Sequence, residues 1–277
     1  MVATRGVAMA THLTVTRTEQ LSPSLRRVHF HSDDLSAFAD SFDTDRYVKL
    51  VFPQPGVVYP EPLDFRALRG VFPPEDMPVV RTYTALFPNV AAGTVAIDFV
   101  VHGDHGVAGP WAAAARPGDR LLVNGPNGAY RPDPTADWHL LVGDETAIPA
   151  ITAALADLPA SATARVFLLV EKPGHELDLP LPAGATVTWY YRSESPDHGD
   201  GLLDTAVRSL PWLPGRVHVF AHGEAQEIMH RIRPHLLRER GLDRSQVSIS
   251  GYWRQGRTEE AFREWKSELA RREAQPA

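Results

Sequence analysis

A closed six-stranded antiparallel β-barrel followed by an α/β domain with a parallel sheet is the fold this 277-residue sequence predicts. Three observations lead there. The first half holds short β-branched or alternating runs between Pro and Gly breaks, and the second half alternates apolar strand-like runs with helical ones. The length suits two domains better than one. The reading places a barrel domain over residues 1–134 and an α/β domain with a C-terminal helix over 135–277.

The strand-like runs of the first half are 12–17 (HLTVTR), 25–31 (LRRVHFH), 46–52 (RYVKLVF), 79–87, 94–103 and 119–124. They are accompanied by one short helical stretch, 111–116, which favours an antiparallel barrel. Residues 53–78 are Pro-rich without period and read as a long excursion from it. Beyond residue 134, strands at 138–143 (WHLLVG), 165–171 (RVFLLVE), 186–192, 216–221 (RVHVFA) and 247–253 alternate with helices near 147–158, 202–210 and 224–240. Near-continuous apolar strands separated by helices are the pattern of a parallel sheet covered by helices. A last helix is expected over 258–274, with Thr258 as cap, Glu259 and Glu260 in its first turn, and Phe262, Trp265 and Leu269 on one stripe. That stripe docks on the second domain or forms a dimer contact.

Composition excludes several chemistries. The chain has no cysteine, which removes disulfides, a thiolate zinc site, a cysteine-held iron–sulfur cluster and a cysteine nucleophile. A formal charge of −6 opposes general affinity for nucleic acid. No run approaches the roughly 20 apolar residues of a membrane span, and the start shows no signal-peptide core, so a cytoplasmic protein is expected. His29 and His31 share a strand face, and His218 and His222 fall on a strand rather than a helix. No carboxylate completes either pair, so a protein-bound catalytic metal is not expected. The absence of GxSxG argues against a serine hydrolase.

Three stretches carry chemistry. In Arg81-Thr82-Tyr83-Thr84, strand alternation sends Arg81 and Tyr83 to one face and both threonines to the other. An arginine offers a fork of donors to a phosphate, and a tyrosine offers a flat face to a heteroaromatic ring. Taken alone, the same pattern also suits a purely structural strand. Asp98–Gly103 (DFVVHG) then leads into the glycine-bearing loop Gly106–Ala112 (GVAGPWA), whose glycines allow close approach of an anion, although an ordinary turn fits the loop as well. Gly143–Ala150 (GDETAIPA) is a strand-to-helix turn at the carboxyl end of the first parallel strand, where ligands of open α/β sheets sit. It lacks the GxGxxG fingerprint; Thr146 has a helix-capping role available to it, and Asp144 a turn-stabilising one.

In order along the chain, RTYT, DFVVHG, GVAGPWA, the PGD of Pro117–Asp119, GDETAIPAI, the HGE of His222–Glu224 and the GYWRQGR of Gly251–Arg257 resemble the siderophore-interacting protein family. These are flavin-dependent ferric-siderophore reductases similar to the ferredoxin–NADP reductase group. The resemblance implies FAD held between barrel and α/β half, with NADH, NADPH or reduced ferredoxin as electron donor and a ferric siderophore as substrate. It implies Arg81 as flavin-phosphate ligand, Tyr83 along the ring and ribityl chain, Thr84 near the reactive ring nitrogen and Thr82 as a further cofactor-binding residue, so that Tyr83 and Thr84 are the catalytic pair. Asp98, Val100 and His102 resemble the strand contacting flavin and adenine. Gly109, Pro110, Trp111 and Ala112 resemble the pyrophosphate loop. Thr146 would face the flavin and Trp253 would cover its other face, with core packing as the alternative for Trp253. Lys49, Arg257 and Arg131 are the cations expected to hold an anionic ferric chelate. A flavin reductase with another acceptor, or a ferric-siderophore-binding protein without turnover, are the competing readings.

Overall fold

The computed structural model describes residues 10–60, 63, 65–104 and 106–256. Arg257 and the helix expected over 258–274 lie outside the described residues. The chain divides into two compact units, Met1–Arg131 and Pro132–Ala277.

The first unit is the expected closed barrel, in the order β1-β2-β5-β4-β3-β6. Its strands are β1 (Thr11–Ser22), β2 (Leu25–His31), β3 (Tyr47–Phe52), β4 (Val79–Asn89), β5 (Thr94–Val100) and β6 (Arg120–Asn127). Every neighbouring pair is antiparallel, and β1 closes the ring by pairing with both β2 and β6. Alternation drives the closure. Val28 and Phe30, Val48, Leu50 and Phe52, Ile97 and Phe99, and Leu121 and Val123 all turn inward into one core, each such side chain contributing roughly 1.5–3 kcal/mol by burial.

Between β3 and β4, residues 53–78 hold one backbone turn, α1 (Phe65–Leu68), and a 3₁₀ turn at Pro74–Asp76. Tyr59 ties this excursion together: its hydroxyl donates to the Asp76 carbonyl at 2.7 Å and accepts from the Gln54 amide at 3.1 Å, while its ring meets Phe72 at 5.3 Å. Helix α2 occupies Ala108–Ala114 rather than the expected 111–116. Pro110 suits a first helical turn, whereas Arg116 precedes Pro117 and is pushed out of helical backbone.

The second unit contains β7 (Trp138–Asp144), β8 (Thr163–Val170), β9 (Gly184–Tyr191), β10 (Val217–Glu224) and β11 (Val247–Trp253). They form a parallel sheet ordered β11-β10-β7-β8-β9. The central strand β7 is buried at every position, while the outer strand β9 alternates between exposed and partly buried. Helices α3 (Ile148–Asp157) and α4 (Leu202–Ser209) follow β7 and β9. The helix expected over 224–240 begins as α5 (Ala225–Glu227) and continues through two π-type turns, Ile228–Ile232 and His235–Glu239. Pro234 between them lacks the N–H that a regular turn requires, and the ladder widens around it. Because β8 and β9 extend to one side of β7 and β10 returns to the other, the strand order reverses between β7 and β10, the position where open α/β sheets form a crevice.

Candidate functional site

In the barrel, β3 and β4 run in unbroken register from Tyr47↔Thr84 to Phe52↔Val79. This register sets Lys49 directly opposite Thr82, both exposed, and Leu50 opposite Arg81. The expected alternation is seen only in part: Thr82 is exposed, whereas Thr84, expected on the same face, is buried. Val79 and Tyr83 pack against the core on one side, whereas Thr82 and Lys49 face out on the other. The Tyr83 ring lies 4.7 Å from that of Phe99, which fixes its plane. Arg81 is partly buried, and one of its guanidinium nitrogens donates to the Val80 carbonyl at 3.0 Å. Thr84 is only 7% exposed. The β4–β5 ladder starts at Ala85↔Ile97, so Arg81–Thr84 is laddered to β3 and lies outside the pairing with β5.

Asp98 and Trp111 are engaged inside the unit in ways the sequence does not reveal. The Asp98 carboxylate, 2% exposed, receives a two-pronged clamp from Arg27 at 2.6 and 2.8 Å. Arg27 is its cross-strand partner on β2 and also lies 5.8 Å over the Phe87 ring. The Trp111 ring sits among Phe30, Phe52 and Phe99 at 5.7–6.3 Å and plugs the barrel core, and Ala112 beside it is fully buried. Gly109 and Pro110 are partly exposed, so this loop offers a ligand mainly its backbone. Val100 ends β5, and His102 stands exposed beyond it. Arg131 is exposed at the end of the unit.

At the switch point of the second unit, Asp144 is a hub that sequence reasoning treated as a turn residue. It is 1% exposed. One carboxylate oxygen accepts from the Thr146 amide (2.9 Å) and hydroxyl (2.6 Å); the other accepts from the Glu224 amide (2.9 Å) and the Trp253 indole N–H (2.7 Å). Thr146 and Trp253, expected separately at a flavin, are therefore joined through one carboxylate. Gly223 adopts φ +151°, and a Cβ there would lie 2.8 Å from the Asp144 carboxylate, so only glycine allows β10 this close.

Arg192, just past β9, was missed. Its guanidinium contacts Glu145 at 3.2 Å and Asp144 at 3.9 Å and lies 5.8 Å over the Trp253 ring. Burial pushes the Glu145 carboxyl up against the pull of that guanidinium. A basic residue at a strand's carboxyl end was the available signal. Among the described residues no cluster of three metal-ligating side chains occurs, and no helix is long and apolar enough to cross a membrane.

Comparison with known proteins accounts for both units. Residues 14–130 match the family model of the siderophore-interacting FAD-binding domain, and residues 136–256 that of the siderophore-interacting protein. The ferric vibriobactin reductase ViuB of Vibrio cholerae is 32% identical over 255 residues, covering 90% of both chains. The NADPH-dependent ferric-chelate reductase of Escherichia coli is 37% identical over 140 residues, 50% of this chain and 53% of that one. The crystal structure of the siderophore-interacting protein SipS from Aeromonas hydrophila superimposes with a TM-score of 0.77 at 32% identity, covering 95% of this chain and 99% of that chain. A ferredoxin reductase of carbazole 1,9a-dioxygenase, 16% identical with a TM-score of 0.62, shares the fold. The chain belongs to the siderophore-interacting protein family, with the family's FAD-binding barrel followed by its α/β domain.

Proposed function

We propose that this protein is an FAD-dependent ferric-siderophore reductase of the cytoplasm, moving single electrons from NAD(P)H or a reduced ferredoxin to chelated Fe(III). The residues present fit the flavin. Arg81 supplies a phosphate-binding fork, the Phe99-braced ring of Tyr83 a flat surface, and Thr82 and Thr84 hydroxyls on the opposite face of the strand. In the loop before α2, Gly106 has φ +80° with nothing within 4 Å of a notional Cβ, so its backbone is open to a ligand. When bound, the flavin would take two electrons as a hydride from NAD(P)H, or one at a time from a reduced ferredoxin, and pass them on singly.

The protein's own residues then have three tasks. Arg81 and the loop retain the cofactor, and Tyr83 with Thr84 orients the ring. Lys49, exposed beside Thr82, holds an anionic chelate near that strand, with Arg131 and Arg257 as the further cations assigned to it. Thr146 and Trp253, fixed by Asp144, are assigned to the cofactor as well. The iron is substrate: each Fe(III) gains one electron, and hard oxygen donors hold the resulting Fe(II) far less tightly. The protein need not ligate it.

The observation that carries this reading is the β3–β4 register, which sets an exposed lysine beside the RTYT strand in a protein of net charge −6. Such a cation counters the self-repulsion an anionic chelate would otherwise meet. The test is anaerobic mixing of reduced enzyme with ferric siderophores while ferrozine traps Fe(II). Expected are a yellow protein, rapid reoxidation and trapped Fe(II), with Lys49→Ala weakening chelate affinity and leaving the flavin spectrum unchanged. Reoxidation without preference for siderophores would make it a flavin reductase of another acceptor, and tight chelate binding without Fe(II) a binding protein.

A further inference from the structure

Outer strand β9 ends in Trp189-Tyr190-Tyr191, and at this carboxyl end a cavity of about 320 Å³ opens. Those three aromatic residues line it together with Glu194, Ser195 and, from α4, Leu202. The size is at the lower end for ligand pockets and suits one nucleoside rather than a whole dinucleotide. It opens on the carboxyl side of the sheet, the side on which open parallel sheets take ligands, two strands from β7 and the switch point. The walls are held in place: the Tyr190 ring meets Phe167 edge-on at 6.1 Å, and the Tyr191 hydroxyl donates to Glu176 at 2.6 Å.

Glu194 is the one charged side chain among the described residues that line the cavity. No lysine or arginine is among its lining residues, whereas the exposed Glu194 is. Arg192, the nearest cation in sequence, is turned to Glu145, Asp144 and Trp253. Glu171 follows the last residue of the neighbouring strand β8, and its carbonyl accepts from the Ser193 amide at 2.9 Å. Carboxylates in such positions accept hydrogen bonds from ribose hydroxyls and repel a phosphate placed on them.

We infer that this cavity receives the adenosine end of the electron-donating dinucleotide, and that Glu194 makes the preferred donor NADH rather than NADPH. The inference rests on the reductase reading and names its donor; the preference is opposite to that in the name of the Escherichia coli relative. The flavin-loaded protein is titrated with ADP-ribose and with its 2′-phosphorylated analogue by calorimetry, and flavin reduction by NADH and NADPH is followed by rapid mixing.

The expected result is ADP-ribose bound about tenfold more tightly than the analogue, a factor within the range of a close charge repulsion at a protein surface. Glu194→Gln narrows the ratio, Glu194→Arg reverses it, and Trp189→Ala weakens both ligands. Because Glu194 is exposed, these variants leave the fold intact. Equal affinities in the unaltered protein, or an unchanged ratio in Glu194→Arg, overturn the inference. So does absence of nucleotide binding in an enzyme that reduced ferredoxin readily reduces, an outcome that leaves the reductase reading standing. Failure of chemically reduced enzyme to yield Fe(II) removes the reductase reading, and the calorimetric arm still decides the cavity.

Discussion

Asp144 accepts four hydrogen bonds at the switch point of the second unit, from groups on three separate segments of the chain. Truncation in Asp144→Ala strips acceptors from the amides of Thr146 and Glu224, the Thr146 hydroxyl and the Trp253 indole. It also removes a negative charge beside Arg192. A buried donor left without a partner costs about 1–3 kcal/mol. Thr146 and Trp253 are partly exposed, so water can re-solvate part of what is lost. The two backbone amides and the indole N–H together then give about 3–5 kcal/mol.

Asp144→Asn retains the shape and one acceptor oxygen but turns an amide N–H₂ toward existing donors, for about 2 kcal/mol. Urea unfolding followed by tryptophan fluorescence measures both variants. The cycle of Asp144→Asn with Trp253→Phe should show a coupling of about 1 kcal/mol. A loss below about 1 kcal/mol in Asp144→Ala, or additivity in the cycle, would show that the hub does not hold the strand ends together.

Three further outcomes are expected. Asp98→Asn breaks a buried clamp and leaves the Arg27 charge without its partner, costing about 3–5 kcal/mol in the same unfolding assay. Two buried groups titrate in opposite senses. Burial, aided by the neighbouring His218, pushes His139 down to about 4, so the unfolded chain takes up that proton first. The stability His139 contributes is therefore lost as pH falls from about 6.5 toward 4. Burial pushes Glu227 up to about 7; here the folded state keeps the proton, and stability is lost as pH rises from about 4.5 through 7. Glu227→Gln should stabilise the protein at pH near 8 with little effect near 5, and His139→Gln should flatten the acid limb, both read from unfolding midpoints across pH. On the proposed reading, in which Arg81 grips a flavin phosphate through a charge-assisted contact, Arg81→Ala should lower flavin content and affinity at least tenfold, seen by absorbance after dialysis.

Local signals in the sequence settled the architecture. Period-2 alternation in HLTVTR or RYVKLVF and the unbroken apolar run WHLLVG are properties of the chain itself. They place the strands within a few residues and separate barrel from parallel sheet, because the burial that selects them is written residue by residue. The order of RTYT, GVAGPWA and GDETAIPAI likewise carried the family. Where Pro234 lies inside a helical pattern, the period persisted but the hydrogen bonds did not, so the regular helix expected there is widened.

Tertiary structure decided which of two available partners each polar group takes. Asp98 lies 71 residues from Arg27, and Asp144 lies 109 from Trp253. No spacing rule joins groups that far apart; they meet only because β2 pairs β5 and because β10 and β11 return to the other side of β7. Trp111 was assigned through the resemblance to the pyrophosphate loop; its ring packs with Phe30, Phe52 and Phe99, where an aromatic surface of that size gains most from exclusion of water. Residue types and their faces are local quantities; the choice among competing partners follows from strand order, which only the folded chain possesses.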